Sequence, residues 1–450
     1  MKNKMYLLNV LAFLMGLFAC NNVIYLFKIG DTYINIEYVL AVITACVIFV
    51  KDSKKFLGAF KDINKYFKAF IIIMFLSVIP LIIVFKDSLG SITSFFNGMV
   101  LFFLCFCIYI DIVALKEKKD LFINGFKIGF ILNIILSLIQ YITYKNGNYF
   151  SLYNYFPQPA FQINSYYGMK NSLQMSTDTF NIYGYRAQGF FLETSYYMAF
   201  LISSAIVLFS ITKFSFFKSI IIIIAIFTII QTSSGNMIIL FGTFILYYLL
   251  KYAKRGEKNT YKINIKKVFL IYIIFSLSLI FVISQRDIIN DFFVNNNIIN
   301  KIINNLETAN IANEGNKERF DNMKKAMALT LKYPFGVGYN MSYTILGREY
   351  GNELNTIAAF NRLITIQLEL GLLGTLAYII YIYEIGIKLL LKSKSKYSLS
   401  VAISVLGIFV CQVGNGIGFS YPFVMFMFAL ANIELNCLIK KEGVLKDDKQ

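Results

Sequence analysis

Residues Phe70 to Phe85 read FIIIMFLSVIPLIIVF, sixteen positions without one charged side chain. Every face of such a segment is apolar, so the polar side that marks a surface helix of a soluble protein is missing. A segment like this lies among lipid chains or other helices. With no water to bond its backbone, only a helix or a closed barrel satisfies its N–H and C=O groups. The stretch Ser219 to Ile230, SIIIIIAIFTII, repeats the pattern. Runs of this kind recur through all 450 residues, of which 57% are hydrophobic and 15% charged. Their length, roughly 18 to 25 residues, suits the ~30 Å of hydrocarbon in a bilayer.

The expected fold class is therefore an all-α membrane protein, a single polytopic domain over 1–450 with about twelve transmembrane helices. The predicted spans are 6–27, 34–50, 67–85, 91–114, 121–143, 196–212, 214–230, 237–252, 268–285, 363–390, 398–414 and 418–438. The first has no small-residue cleavage site behind it and reads as a retained helix rather than a signal peptide. Six cysteines all fall within predicted spans, so structural disulfides are not expected. The chain contains no Trp and no His.

Lysine placement orients the helices. With the N-terminus inside, the segments Lys51–Lys68, Lys116–Lys119, Lys251–Lys267, Lys388–Lys396 and Lys440–Lys449 are all cytoplasmic, as is the C-terminus. The short loops opposite carry only Lys28 and Lys86. The net charge of +18 thus reports topology, and nucleic-acid binding is not expected.

Two segments, 144–195 and 286–362, are too long to be passive connections, and both fall outside. The first, with YNYFPQPAFQINSYYGMKNSLQ (Tyr153 to Gln174), is rich in groups that stack on and hydrogen-bond sugars, or that build an ordered polar cap. In the second, Phe320, Met323, Met327 and Leu331 recur at helical spacing between Arg319, Lys324, Lys325 and Lys332, which predicts an amphipathic helix flat on the bundle. Pro334 ends it, and Gly336 and Gly338 in FGVGYN allow a tight turn where backbone can approach a ligand. No internal repeat of the kind found in secondary transporters is visible.

Soluble catalytic signatures are absent: no Walker loop, GxSxG, CxxC or HExxH. Neither outer loop holds a DxD pair, so neither a bound metal nor another cofactor is expected. Only six of the 43 basic residues are arginine, and Arg186, Arg286, Arg319, Arg348 and Arg362 sit in or beside the outer loops. A guanidinium fork grips phosphate oxygens bidentately, so this bias fits a lipid diphosphate. Arg286 also reads as a snorkelling span end, and Arg348 as a surface residue. Glu369, within an apolar stretch, is costly to bury unless it is paired or faces a cavity.

These residues carry a resemblance. RAQGFFLE (Arg186 to Glu193) resembles the Arg-Gly-Phe-Glu signature of the O-antigen ligase and Wzy-type polysaccharide polymerase superfamily. ERFDNMKKAMALTLKYPFGVGYN (Glu318 to Asn340) is similar to that superfamily's arginine-led loop helix. FNRLITIQLELGLLGTL (Phe360 to Leu376) resembles its segment His-Asn … Glu-x-Gly-x-x-Gly entering a late span. The resemblance implies a GT-C-like membrane glycosyltransferase acting on undecaprenyl-diphosphate-linked glycans at the outer face of a bacterial cytoplasmic membrane. It places Arg186 and Arg319 on the leaving diphosphate, with Asn361, Arg362 and Glu369 shaping the same pocket. Glu193 reads as a base or as the partner of Arg186, and Glu318 as a further candidate base. Phe360 stands where ligases of the superfamily carry histidine, which favours a polymerase of repeat units. The alternatives are a ligase passing glycan to a core lipid or protein, and a flippase or transporter. A polymerase in capsule, O-antigen or exopolysaccharide assembly implies a chain-length regulator and a flippase as partners.

Overall fold

The computed structural model describes residues 2–21, 24–29, 32–86, 89–146, 188–191, 194–211, 314–350, 361–393, 395–419 and 421–447, together with 242, 245, 247, 249, 254–255 and 261–262. In chain order the elements are α1 (Lys2–Phe18), β1 (Tyr25–Ile29), β2 (Thr32–Asn35), α2 (Ile36–Lys51), α3 (Ser53–Asp62), α4 (Lys65–Leu76), α5 (Val78–Val84), α6 (Leu89–Ala114) and α7 (Lys119–Lys145). They continue with α8 (Thr194–Ile211), α9 (Glu314–Lys332), α10 (Ser342–Tyr350), α11 (Arg362–Ile382), α12 (Lys396–Asn415) and α13 (Pro422–Asp447). A π-helical segment, Tyr383–Lys388, prolongs α11 into a last turn at Leu389–Lys392.

Six stretches among the described residues are long and apolar enough to cross a membrane: Lys65–Val84, Gly90–Ala114, Lys116–Thr143, Arg362–Lys392, Lys396–Gly414 and Pro422–Lys440. They coincide with the predicted spans 67–85, 91–114, 121–143, 363–390, 398–414 and 418–438. Tyr6–Phe18 and Ser195–Ile211 are shorter apolar helices. The chain is a multi-pass helical membrane protein. The predicted spans 214–230 and 268–285 lie outside the described residues, and 237–252 is described only at isolated positions.

The first predicted span needs correction. It was expected to run to residue 27, but α1 stops at Phe18 and the chain turns into an antiparallel ribbon in which Phe27 faces Ile34 and Ile29 faces Thr32. The reason is a buried polar cluster. Glu37, at the start of α2, accepts from Asn35 Nδ2 at 2.9 Å and Asn21 Nδ2 at 3.3 Å, while Asn21 Oδ1 accepts from the Ile24 amide at 3.2 Å. Asparagine side chains that bond nearby backbone compete with the helix and end it.

Glycine lets the helices approach. A Cβ on Gly16 of α1 would stand 2.0 Å from the Phe122 carbonyl oxygen, and one on Gly125 of α7 2.0 Å from that of Phe13. Such small-residue crossings put two backbones in van der Waals contact, which is how helices pack where lipid removes any hydrophobic drive between them. Further in, stacked aromatic rings lock the bundle, with centroids 4.5 Å apart for Phe67 and Tyr381 and 4.6 Å for Phe126 and Phe426. Along α4 and α5, by contrast, Ile72, Ile79 and Ile83 are more than half exposed, as suits the lipid-facing rim of a bundle.

The amphipathic helix expected within 286–362 forms as α9 (Glu314–Lys332), but its buried face is not the predicted one. Asn322, Ala326, Leu329 and Thr330 are buried, whereas Met327 is 51% and Leu331 84% exposed. Met327 and Leu331 point away from the protein and Met323 is half-buried, as suits a helix with an apolar medium on that side.

Candidate functional site

After α9 the chain passes Pro334 and enters a hook, residues 335–341. Three of its residues have positive φ: Gly336 at 88°, Gly338 at 109° and Asn340 at 62°. Glycine tolerates this backbone at no steric cost, and asparagine is among the few other residues that visit it. The hook reverses the chain within a few residues and drives it between three spans.

On one side it meets a break in α11. At Gly371 the helix leaves helical geometry, with φ 69° and ψ −171°, a region open essentially to glycine alone. The freed backbone groups are taken up by the hook: Val337 N–H donates to Leu368 O at 2.9 Å, Gly338 N–H to Glu369 O at 3.0 Å, and Leu372 N–H to Pro334 O at 3.3 Å. The Thr375 hydroxyl donates to the Gly371 carbonyl at 3.0 Å. Irregular backbone within a membrane bundle persists only where protein satisfies it in this way.

On the other side the hook meets the bend between α4 and α5, where Pro80 supplies no amide to the helical ladder. The Tyr339 amide donates to Ser77 Oγ at 3.1 Å, and a Cβ on Gly338 would touch the Leu81 side chain. Against α6, Asn340 Nδ2 donates to Ser94 O at 3.0 Å, and Gly98 leaves room for the Asn340 side chain. The sequence had marked Gly336 and Gly338 for close backbone approach to a ligand. In the structure the backbone they bring close is that of Glu369 and its neighbours.

The wedge organises a buried polar site. Asn361 caps α11 by accepting from the Leu363 and Ile364 amides at 3.0 and 3.2 Å. This starts the helix so that Arg362 and Glu369, two turns apart, fall on one face. Arg362 Nη1 lies 4.0 Å from Glu369 Oε2, and its guanidinium sits 4.9 Å above the Phe419 ring. Ser342, first residue of α10, donates to Glu369 Oε1 at 2.7 Å. Arg362 Nε and Glu369 Oε2 have no hydrogen-bond partner among the described residues. Tyr339, packed edge-on against Phe102, lies in the field of Arg362; burial pushes its phenol well above the usual range and the guanidinium pulls the other way. A buried cation, a carboxylate and hydroxyls converging beside a gap in a helix can hold polar oxygens that would otherwise be too costly to desolvate.

Arg186, Glu193 and Phe360 lie outside the described residues. Arg319 and Glu318 belong to α9, and their side chains are outside the description too. The structure therefore brings together Arg362, Glu369, Asn361, Gly336 and Gly338 of the predicted site residues. Sequence reading missed Ser342, Tyr339 and Ser77, ordinary polar residues with no spacing to single them out.

Residues 219–379 match the family model described as O-antigen ligase, a little over a third of the chain that takes in the hook, Arg362, Glu369 and Gly371. Over that segment the chain is similar to the O-antigen ligase family. That family supports a role in polysaccharide assembly, and its members are glycosyltransferase-like enzymes that imply lipid-linked glycan substrates in the membrane. No curated protein and no solved structure matches the chain.

Proposed function

We propose that the chain polymerises glycan repeat units carried on undecaprenyl diphosphate, at the outer face of the bacterial cytoplasmic membrane and with both termini inside. The observation that carries this reading is the buried Arg362–Glu369–Ser342 site at a broken span, within the family-matched segment of a chain that contains no histidine. The growing glycan leaves its polyprenyl diphosphate and is joined at the anomeric carbon to a hydroxyl of an incoming lipid-linked unit. The hydroxyl proton goes to a base, and the diphosphate departs with the electrons of the broken bond. Arg186 and Arg319, the loop arginines of the resemblance, stabilise that leaving charge, since preorganised cations act where charge develops. Arg362, held by Glu369, shapes the pocket with Asn361, and the hook fixes its floor. Glu193 or Glu318 serves as base. Neither metal nor nucleotide takes part, and a flippase and a chain-length regulator work beside the enzyme in making capsule, O-antigen or exopolysaccharide.

The purified protein, given only the lipid-linked repeat unit in the presence of chelator, is expected to build a ladder of lipid-linked oligomers. Transfer to a core lipid or a protein without any ladder would reject the reading in favour of a ligase.

A further inference from the structure

A cavity of about 620 Å³ opens at the end of α5, away from Arg362 and Glu369. Its lining includes Ile83, Val84, Phe85, Lys86, Thr344 and Arg348. Arg348, near the end of α10, lies over the Phe85 ring at 5.7 Å and spends one N–H on the Val84 carbonyl at 3.0 Å. A guanidinium has five N–H donors, so this anchoring fixes its plane and leaves the rest of the fork for another acceptor. Among the described residues no carboxylate comes within ion-pair distance of Arg348 or Lys86; the neighbouring Glu349 is engaged by Lys332 at 2.6 Å and Tyr333 at 2.9 Å. Asp87 lies outside the described residues.

Two cations, a hydroxyl from Thr344 and an aromatic floor therefore stand at the end of an apolar wall. That wall continues onto the exposed rim of α5, where Ile82 and Ile83 are 58% and 62% exposed. An anion alone would be served by the cations; the wall serves a chain attached to it. We propose that this cavity binds the phosphate group of a membrane lipid, with Arg348 and Lys86 on the phosphate oxygens and Ile83 and Val84 along the first methylenes. The fork geometry favours phosphate over a point anion, and the exposed lysine adds attraction near a low-dielectric surface. The site stands apart from the polymerase reading, and neither depends on the other.

Because the chain has no Trp, Phe85→Trp supplies a single fluorescent reporter under Arg348. The full-length variant in neutral detergent is titrated with dioctanoyl phosphatidic acid, dioctanoylglycerol and inorganic diphosphate. A saturable emission change is expected with the phosphatidic acid and not with the glyceride. Arg348→Gln should weaken it about tenfold or more. Arg348 also bonds Val84, so Lys86→Gln, at an exposed position, is the second variant, expected to weaken binding about threefold. An unchanged midpoint in both variants, equal responses to lipid and glyceride, or a response to inorganic diphosphate alone would each overturn the proposal.

Discussion

A Cβ added to Gly336 would stand 2.4 Å from the carbonyl oxygen of Glu369, so the hook and the broken span meet backbone to backbone. Gly371 answers from the other side: its Cβ would stand 2.6 Å from the Pro334 oxygen, and its φ and ψ are those of glycine. Gly336→Ala and Gly371→Ala should each lower stability by about 1–3 kcal/mol from backbone strain alone, before any clash is counted. Gly58→Ala is the control, because a Cβ there on α3 meets nothing within 4 Å; removing a helical glycine should be neutral or stabilising by up to about 1 kcal/mol. Thermal unfolding in detergent checks the contrast, which fails if the three variants melt together.

The legible parts of this fold are those that depend on one segment at a time. Phe70 to Phe85 declares a span because length and apolarity suffice, and Phe320 to Leu331 declares a helix by its spacing, within the Glu314–Lys332 helix that forms. Which face of that helix is buried did not follow, because Met327 and Leu331 are drawn inward only where the alternative is water. The turn at Gly336 and Gly338 was readable and its docking partner was not. Nothing local in LELGLLG says that Gly371 breaks the helix; the break exists because a distant hook completes its hydrogen bonds. For the same reason Glu369 could be marked as needing a partner, while Ser342, twenty-seven residues earlier, could not be named as one.

Arg362 and Glu369 allow structure to be separated from chemistry. Glu369→Leu leaves a buried guanidinium without its counter-charge, which typically costs about 3–5 kcal/mol, whereas replacing both members with apolar residues of similar volume is often neutral. The double variant Arg362→Met/Glu369→Leu should therefore regain most of the melting temperature lost by Glu369→Leu. Oligomer formation should stay below one-tenth of the parent in both. If the double variant polymerised normally, the pair would be a strut rather than part of the site.

The bridge between Lys332 and Glu349 ties the end of α9 to α10. The hydrogen bond from Lys332, then that from Tyr333, holds the Glu349 carboxyl below its usual range, and the same Glu349 bond holds the Lys332 ammonium above its own. A depressed carboxyl contributes above its ordinary titration range and loses that contribution as pH falls through the folded value. The raised ammonium loses its contribution only as pH rises past its own folded value. Amides of Ser342–Tyr350 should accordingly exchange faster as pH falls below about 4, after correction for intrinsic rates. Glu349→Gln should abolish that acid dependence, and a variant that kept it would assign the effect to another group.

The orientation proposed from the lysines predicts that Lys258 faces the cytoplasm. The native thiols are all free, and Cys46 and Cys437 are exposed, so the measurement needs a background in which they are replaced. In intact cells an impermeant maleimide should spare a cysteine at position 258 and modify one at position 340, in the hook. Labelling at 258 without permeabilisation would invert the topology, and with it the side on which the reaction is proposed.

Polymerase and ligase share a lipid-diphosphate donor, so cations on the leaving group cannot separate them; activation of the acceptor can. A ligase of the kind resembled would place histidine where Phe360 stands, and a phenyl ring neither accepts a proton nor hydrogen-bonds a hydroxyl. Losing a general base costs typically about 10²- to 10⁴-fold in rate, which would cripple an enzyme built on that residue. A polymerase with its base elsewhere keeps its rate with phenylalanine at 360. Deleting the gene should leave single repeat units still made, and still attached wherever a separate ligase works, while long chains vanish from the cell surface. Complementation by Phe360→Leu should restore the long chains, because no proton passes through that position. Loss of the single attached units in the deletion strain, with oligomers still accumulating on lipid, would make the protein the ligase.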